Sequence, residues 1–177
     1  MVTEIGFVAV VLVIAAQRLV ELGRSRDNAA RMLARGGREH AAHQMPWMVL
    51  LHATWLGAML VEVLVIGRPF QPAVAVLAAI VFAAGQRLRR SARRALGWRW
   101  TARIITVPGV PLARSGPYRF LSHPNYLGVA LEVAALPLLH GAWITALCFS
   151  ALNAVMLWRR IRAENLALGR GRAAERR

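Results

Sequence analysis

The chain contains no lysine: all 23 of its basic residues are arginine, set against only 8 acidic residues in 177. Its single cysteine, Cys148, lies inside an apolar run, which excludes an internal disulfide and a thiolate metal site. No Gly-x-Gly-x-x-Gly element follows a strand-like run, which excludes a soluble Rossmann-type domain. Residues Met1 to Glu4 lack the basic segment and small-residue cleavage site of a signal peptide, so the first apolar run is expected to remain as a membrane span. Aromatic residues are sparse at 7%, whereas hydrophobic residues reach 57% and come in runs, with a mean hydropathy of +0.44. The formal charge of +15 invites a nucleic-acid partner, but the apolar runs argue against one, and none is expected.

A hydrocarbon core about 30 Å thick needs about 20 apolar residues of helix. Five runs approach that length: Ile5 to Leu22, Trp47 to Ile66, Ala73 to Leu88, Tyr126 to Leu139 and Ala142 to Trp158. The expected fold class is an all-α polytopic integral membrane protein, one membrane domain over residues 1–177 with about five spans. The third and fourth are short, and Pro137 is expected to distort the end of the fourth. Every arginine except Arg18 and Arg68 falls in the first connection, the third connection or the tail, which ends with Arg170, Arg172, Arg176 and Arg177. The positive-inside rule then puts the N-terminus outside and the C-terminus in the cytoplasm. Charge of this kind is topological, and contact with anionic membrane lipids is its by-product.

Between Gly97 and Asn125 the chain reads GWRWTARIITVPGVPLARSGPYRFLSHPN. Pro108, Pro111, Pro117 and Pro124 each forbid an interior helical hydrogen bond and extend the preceding residue, so this stretch is not one helix. Irregular backbone beside a bilayer survives only against protein or an aqueous cavity, which implies a polar pocket at the cytoplasmic face. Pro124 suits the first turn of the following helix, whose amide groups and dipole would face that pocket.

The run from Gly116 to Gly128, GPYRFLSHPNYLG, followed one helical hairpin later by Arg160-Ile161-Arg162-Ala163-Glu164, resembles the C-terminal signature of the isoprenylcysteine carboxyl methyltransferase family. The matching part covers residues 97–168. The N-terminal part, with Arg18, Glu21, Glu39, His52 and Glu62, looks more like a small bacterial branch that neighbours type III polyketide synthases and methylates alkylpyrones or alkylresorcinols. The resemblance implies S-adenosyl-L-methionine as cofactor, held by Val110, Pro111, Leu112 and Ala113, by Tyr118, by His123, Pro124, Asn125 and Tyr126, and by Glu164. It also implies that Arg160 faces the methyl acceptor. Where the family usually has a second acidic residue this chain has Asn165, and the longer tail with further tyrosines is missing.

Each residue also has a plainer reading. His123 alone would cap the turn before Pro124, and Tyr118 and Tyr126 would be interfacial aromatics. Arg160 and Glu164 are spaced as a helical ion pair, but Arg before Glu is the less favourable order. Ionisable residues inside spans default to functional hypotheses. Arg18 and Glu21 either neutralise one another or meet substrate, His52 is a core histidine or a base, and Glu132, with Gly128 one turn earlier leaving room beside it, is the sharper candidate. Glu62 falls near the outer end of span two and reads as structural. The tryptophans at 47, 98, 100, 143 and 158 read as interfacial anchors, and Gly36-Gly37 as a loop turn.

Methyl transfer from a sulfonium is an in-line displacement that needs an electron pair, close approach and exclusion of water, and no metal. An anionic carboxylate or acidic enol needs no base, whereas a phenol of pKa about 10 does. Arg160 is expected to hold the acceptor anion, and Glu132 or His52 to remove a proton where one must go. The lipophilic small-molecule acceptor is expected to enter sideways from the bilayer. Two rivals stand beside this reading: a membrane NADPH-dependent steroid or sterol reductase, which usually has an acidic residue where Val129 stands here, and a non-enzymatic lipid-binding or transport protein.

Overall fold

The computed structural model describes residues 1–169; Arg170, Arg172, Arg176 and Arg177, counted above in the topology, lie outside the described residues. Five helices carry the chain: α1 Val2–Ala34, α2 Gln44–Val61, α3 Pro72–Leu96, α4 Pro124–Leu138 and α5 Trp143–Ala167. Helix α1 runs well past the expected apolar segment because no proline interrupts it before the Gly36-Gly37 turn, where Gly36 takes φ +76°. Helix α2 ends in a wider π-helical turn, Glu62–Gly67, and Pro72 opens α3 at a position where a missing amide costs nothing. The membrane-helical expectation holds, with one addition. The β-branched Ile104-Ile105-Thr106 forms strand β2, Ile104–Thr106, antiparallel to β1, Arg38–His40.

Four helices, α1, α2 with its π turn, α3 and α5, are long and apolar enough to cross a membrane. The fifth expected span is shorter: α4 has 15 residues, about 22 Å at 1.5 Å per residue, and Pro137 sits in its last turn. Half of α4 is buried among its neighbours, with Val129, Val133 and Leu136 in a core shared with Phe7, Val11 and Ile14 of α1 and Trp55 and Met59 of α2. Packing against helices rather than lipid is what a short helix at membrane depth requires.

Successive helices alternate in direction. At one end His140, between α4 and α5, hydrogen-bonds Thr3 near the start of α1 and packs against Phe70 before α3. At the other end lie the close of α1, the strand pair, the close of α3, the start of α4 and the close of α5, and with them most of the arginines. There Glu39 accepts from Arg103 at 3.1 Å and His40 bonds Thr106 at 2.9 Å.

Candidate functional site

Helix α3 and helix α4 touch at two glycines. A Cβ on Gly85 would come within 2.9 Å of the Gly128 carbonyl oxygen, and one on Gly128 within 2.9 Å of the Gly85 carbonyl. Four residues further along each helix, Arg89 donates to Glu132 at 2.7 Å and to Glu21 of α1 at 2.5 Å. Arg18 reaches both Glu21, at 2.9 Å, and Glu132, and Arg93 also pairs with Glu21. Buried charges of opposite sign are retained only when paired in this way. Glu132 is completely buried in this knot, where it ties α1, α3 and α4 together. The room that Gly128 leaves beside Glu132 is filled by the Arg89 side chain.

The knot underlies a cavity of about 190 Å³ at the arginine-rich end. Arg93, ion-paired below, lies 5.6 Å from the ring of Trp100, which forms part of the cavity wall. The second half of α1 fixes the adjoining backbone: Asn28 donates to the Trp100 carbonyl at 2.7 Å, and Ser25 Oγ accepts from the Ala102 amide at 2.9 Å. Trp100 is consequently buried, a correction to its reading as an interfacial anchor; Trp47, Trp143 and Trp158 are exposed as anchors would be. Arg99 closes the far side by donating to the Pro111 carbonyl at 2.6 Å.

Nine of the ten residues expected to hold a cofactor line this cavity: Val110, Pro111, Leu112, Ala113, Tyr118, His123, Asn125, Tyr126 and Glu164. The tenth, Pro124, is buried in the first turn of α4 instead. Burial pushes the Tyr118 hydroxyl above the ordinary phenol range, and the Glu164 charge adds to the shift, so Tyr118 stays protonated and can donate. His123 stacks on Tyr126 at 5.6 Å between centroids, with Nδ1 3.6 Å from the Glu164 carboxylate and Nε2 3.1 Å from Asn165. Two buried polar atoms among the lining residues, Asn125 Oδ1 and Trp100 Nε1, have no partner within the protein. Orphaned groups of this kind suit a ligand with polar functions, and Met32, Ile104, Leu112 and Leu168 supply apolar wall for a flat ring.

The three residues expected to do chemistry do not line the cavity. Arg160 is buried beside it, 5.9 Å from the Tyr126 ring, with one amino group donating to the Ala102 carbonyl at 2.5 Å and its Nε unpartnered. His52 bonds the Met48 carbonyl through Nδ1 at 2.8 Å and stands edge-on to Trp55. Reasoning from the sequence missed Trp100, Arg99, Arg103 and the β2 strand as cavity wall, and Asn165 as a partner of His123. The spacings Gly85/Arg89 and Gly128/Glu132, both i to i+4, are the signal that would have found the α3–α4 contact.

A second hollow, about 610 Å³, opens between α2 and α5. Leu50, Leu51, Phe149, Leu152 and Met156 make it apolar, and His43 and Arg159 stand at its polar rim.

The model of the Isoprenylcysteine carboxyl methyltransferase (ICMT) family matches residues 75–170, which include every one of these cofactor positions. The chain belongs to this family. Like other ICMT-family proteins it is an integral membrane methyltransferase, and S-adenosylmethionine is the methyl donor the family generally uses. The uncharacterized protein YpbQ of Bacillus subtilis (strain 168) is similar, 34% identical over 162 residues that span 92% of this chain and 96% of YpbQ. No solved structure matches the chain.

Proposed function

We propose that the chain is an S-adenosylmethionine-dependent O-methyltransferase acting on a lipophilic acceptor, a carboxylate or an enol or phenol oxygen, at the cytoplasmic face of a bacterial plasma membrane. The observation that carries this reading is the single cavity lined by the Val110–Ala113 loop, Tyr118, the His123–Tyr126 turn and Glu164. Glu164 would accept from the cofactor's ammonium or ribose hydroxyls, Tyr118 and the Trp100 indole would donate, and Asn125 would use its orphaned oxygen. Bound there, the cofactor supplies a methyl group activated by a sulfonium centre.

The chain's own residues then have to bring an electron pair to that methyl without water. Arg160, with its Nε unpartnered behind Tyr126, is our candidate for holding the acceptor's anionic oxygen. His52 donates through Nδ1 to the Met48 carbonyl, which leaves Nε2 with its lone pair and makes His52 the base for an acceptor that must lose a proton. Glu132, paired with Arg18 and Arg89, is assigned no chemical step. The hollow between α2 and α5 gives an alkyl or prenyl chain a way in from the bilayer, and Arg159 on its rim is the neighbour of Arg160 on α5. Alkylpyrones, alkylresorcinols and prenylcysteines are the acceptor classes to try, and a type III polyketide synthase is the partner enzyme that would supply the first two.

Calorimetry on detergent-purified protein tests the cofactor: S-adenosylmethionine and S-adenosylhomocysteine are expected to bind and NADPH is not. Tritiated methyl transfer to an alkylpyrone, an alkylresorcinol and a prenylcysteine analogue tests the acceptor. NADPH binding in place of the methyl donor would move the chain to the reductase reading, and binding of neither would favour a lipid-binding protein.

A further inference from the structure

We propose that the turn Gly116–Arg119, with Phe120 after it, is an interfacial anchor that sets the Phe120 ring among the headgroups of an anionic bilayer and so holds one wall of the cavity against the membrane. Phe120 is 84% exposed, and Leu121 and Leu127, on either side of the His123-Pro124 corner, are exposed with it. Single exposed leucines need no explanation, but a phenylalanine this bare beside two of them does. Helix α3 gives the depth of the turn. A Cβ on Gly116 would lie 3.3 Å from the Ala95 side chain and 3.7 Å from the Ser91 hydroxyl. The apolar stretch of α3 ends at Leu88, so at 1.5 Å per residue Ser91 and Ala95 stand about 4.5 and about 10 Å beyond it. A headgroup layer is about 5–7.5 Å thick on each side of the hydrocarbon. The turn therefore lies at headgroup depth. Leu127 continues its apolar surface inward: it precedes Gly128, where a Cβ would touch Arg89, so it stands level with Leu88.

Charge selects the occupant. The Arg119 guanidinium lies 5.7 Å from the centre of the Phe120 ring, an arrangement that lets the ring enter the apolar boundary while the guanidinium stays among phosphates. Arg87, Arg90 and Arg94 recur along one stripe of α3 beside Ser91, and Arg114 precedes the turn; all are exposed. Among the described residues none of these five arginines meets a carboxylate. Unpaired cations around an exposed apolar group at this depth are what a surface of anionic lipid attracts. The same turn carries Tyr118 and leads into His123, both in the cavity wall. Anchoring it therefore also positions that wall, a consequence that rests on the cavity being the cofactor site.

The test is the fluorine NMR spectrum of 4-fluorophenylalanine-labelled protein in bilayer nanodiscs, with the Phe120 resonance assigned by its loss in Phe120→Leu. In nanodiscs containing phosphatidylglycerol, the Phe120 signal is expected to relax strongly with a headgroup-nitroxide lipid and little with a water-soluble gadolinium chelate. In nanodiscs of phosphatidylcholine alone the relaxation by the nitroxide lipid should fall several-fold. Full relaxation by the chelate in both bilayers would overturn the anchor and leave the turn to a soluble partner, and equal lipid contact in both would overturn the part given to the arginines. Calorimetry reads the coupling to the cavity: in phosphatidylglycerol nanodiscs Phe120→Ser is expected to bind S-adenosylhomocysteine several-fold more weakly than the parent, with its unfolding midpoint unchanged. An affinity equal to the parent's would overturn that coupling. The relaxation measurement needs no cofactor, so failure of the parent to bind one would count against the proposed function and not against the anchor.

Discussion

Arg89 and Glu132, each four residues along its own helix from its glycine, meet at 2.7 Å across the Gly85–Gly128 contact, so one helix crossing supplies both a close backbone approach and a buried ion pair. The glycines set the distance between α3 and α4, and the charges set their register. Both are needed because the cavity lies between the ends of these helices.

Adding a methyl at this crossing is expected to be costly. In Gly128→Ala the new Cβ meets the Gly85 carbonyl and the Arg89 side chain, and neither backbone has room to yield. A loss of about 1–3 kcal/mol is expected, read as a lowered unfolding midpoint in detergent. Gly57→Ala, inside α2 where a Cβ meets nothing within 4 Å, is the control and should leave the midpoint unchanged or raise it.

Removing Glu132 leaves Arg18 and Arg89 with less negative charge than their burial requires. Glu132→Ala is expected to destabilise by about 3–5 kcal/mol, the range for breaking a buried pair from one side. The purely structural role is sunk if Glu132→Ala unfolds like the parent and yet loses methyl transfer.

Glu62 is the counterpart at the opposite end. Its carboxylate accepts the Ile144 amide at 3.0 Å, the Thr145 amide and hydroxyl at 2.7 Å each, and Arg68 at 3.0 Å, so it caps α5 from the π turn of α2. Glu62→Ala is expected to lower the unfolding midpoint substantially while the surviving folded protein keeps its cofactor affinity. A cofactor affinity that falls in Glu62→Ala at full folding would contradict the capping role.

Arg160 and Glu164 are one turn apart and should separate kinetically. Glu164→Ala is expected to weaken cofactor binding about ten- to a hundred-fold, from the loss of a charged hydrogen bond of about 1.5–3 kcal/mol. Arg160→Ala should leave cofactor affinity within a few-fold and impair acceptor use. Equal, small effects on both, measured by calorimetry and tritiated methyl transfer, would sink the division into an acceptor and a cofactor residue.

Arginine placement predicts that a reporter fused to the N-terminus is outside and one at the C-terminus inside. Fusions of alkaline phosphatase and green fluorescent protein at each end decide this, and both termini on one side would refute it.

The sequence alone determined the membrane class, the helical runs, the irregular Gly97–Asn125 stretch and part of the cavity wall, because each rests on a local cause. Long apolar runs leave no soluble alternative, prolines forbid helix wherever they fall inside it, and the Gly116–Gly128 run carries its spacing within a single stretch of chain. Only the tertiary structure decided what lies opposite what. Arg89 and Arg93 read as topological charge until Glu21 and Glu132 are brought to them from α1 and α4, and Trp100 reads as an anchor until Asn28 and Arg93 enclose it. Asn165, too, looks like a gap in a motif until His123 arrives from 42 residues away. Pairing across helices depends on their crossing and rotation, which packing at a few contacts fixes and which no periodicity within one helix encodes.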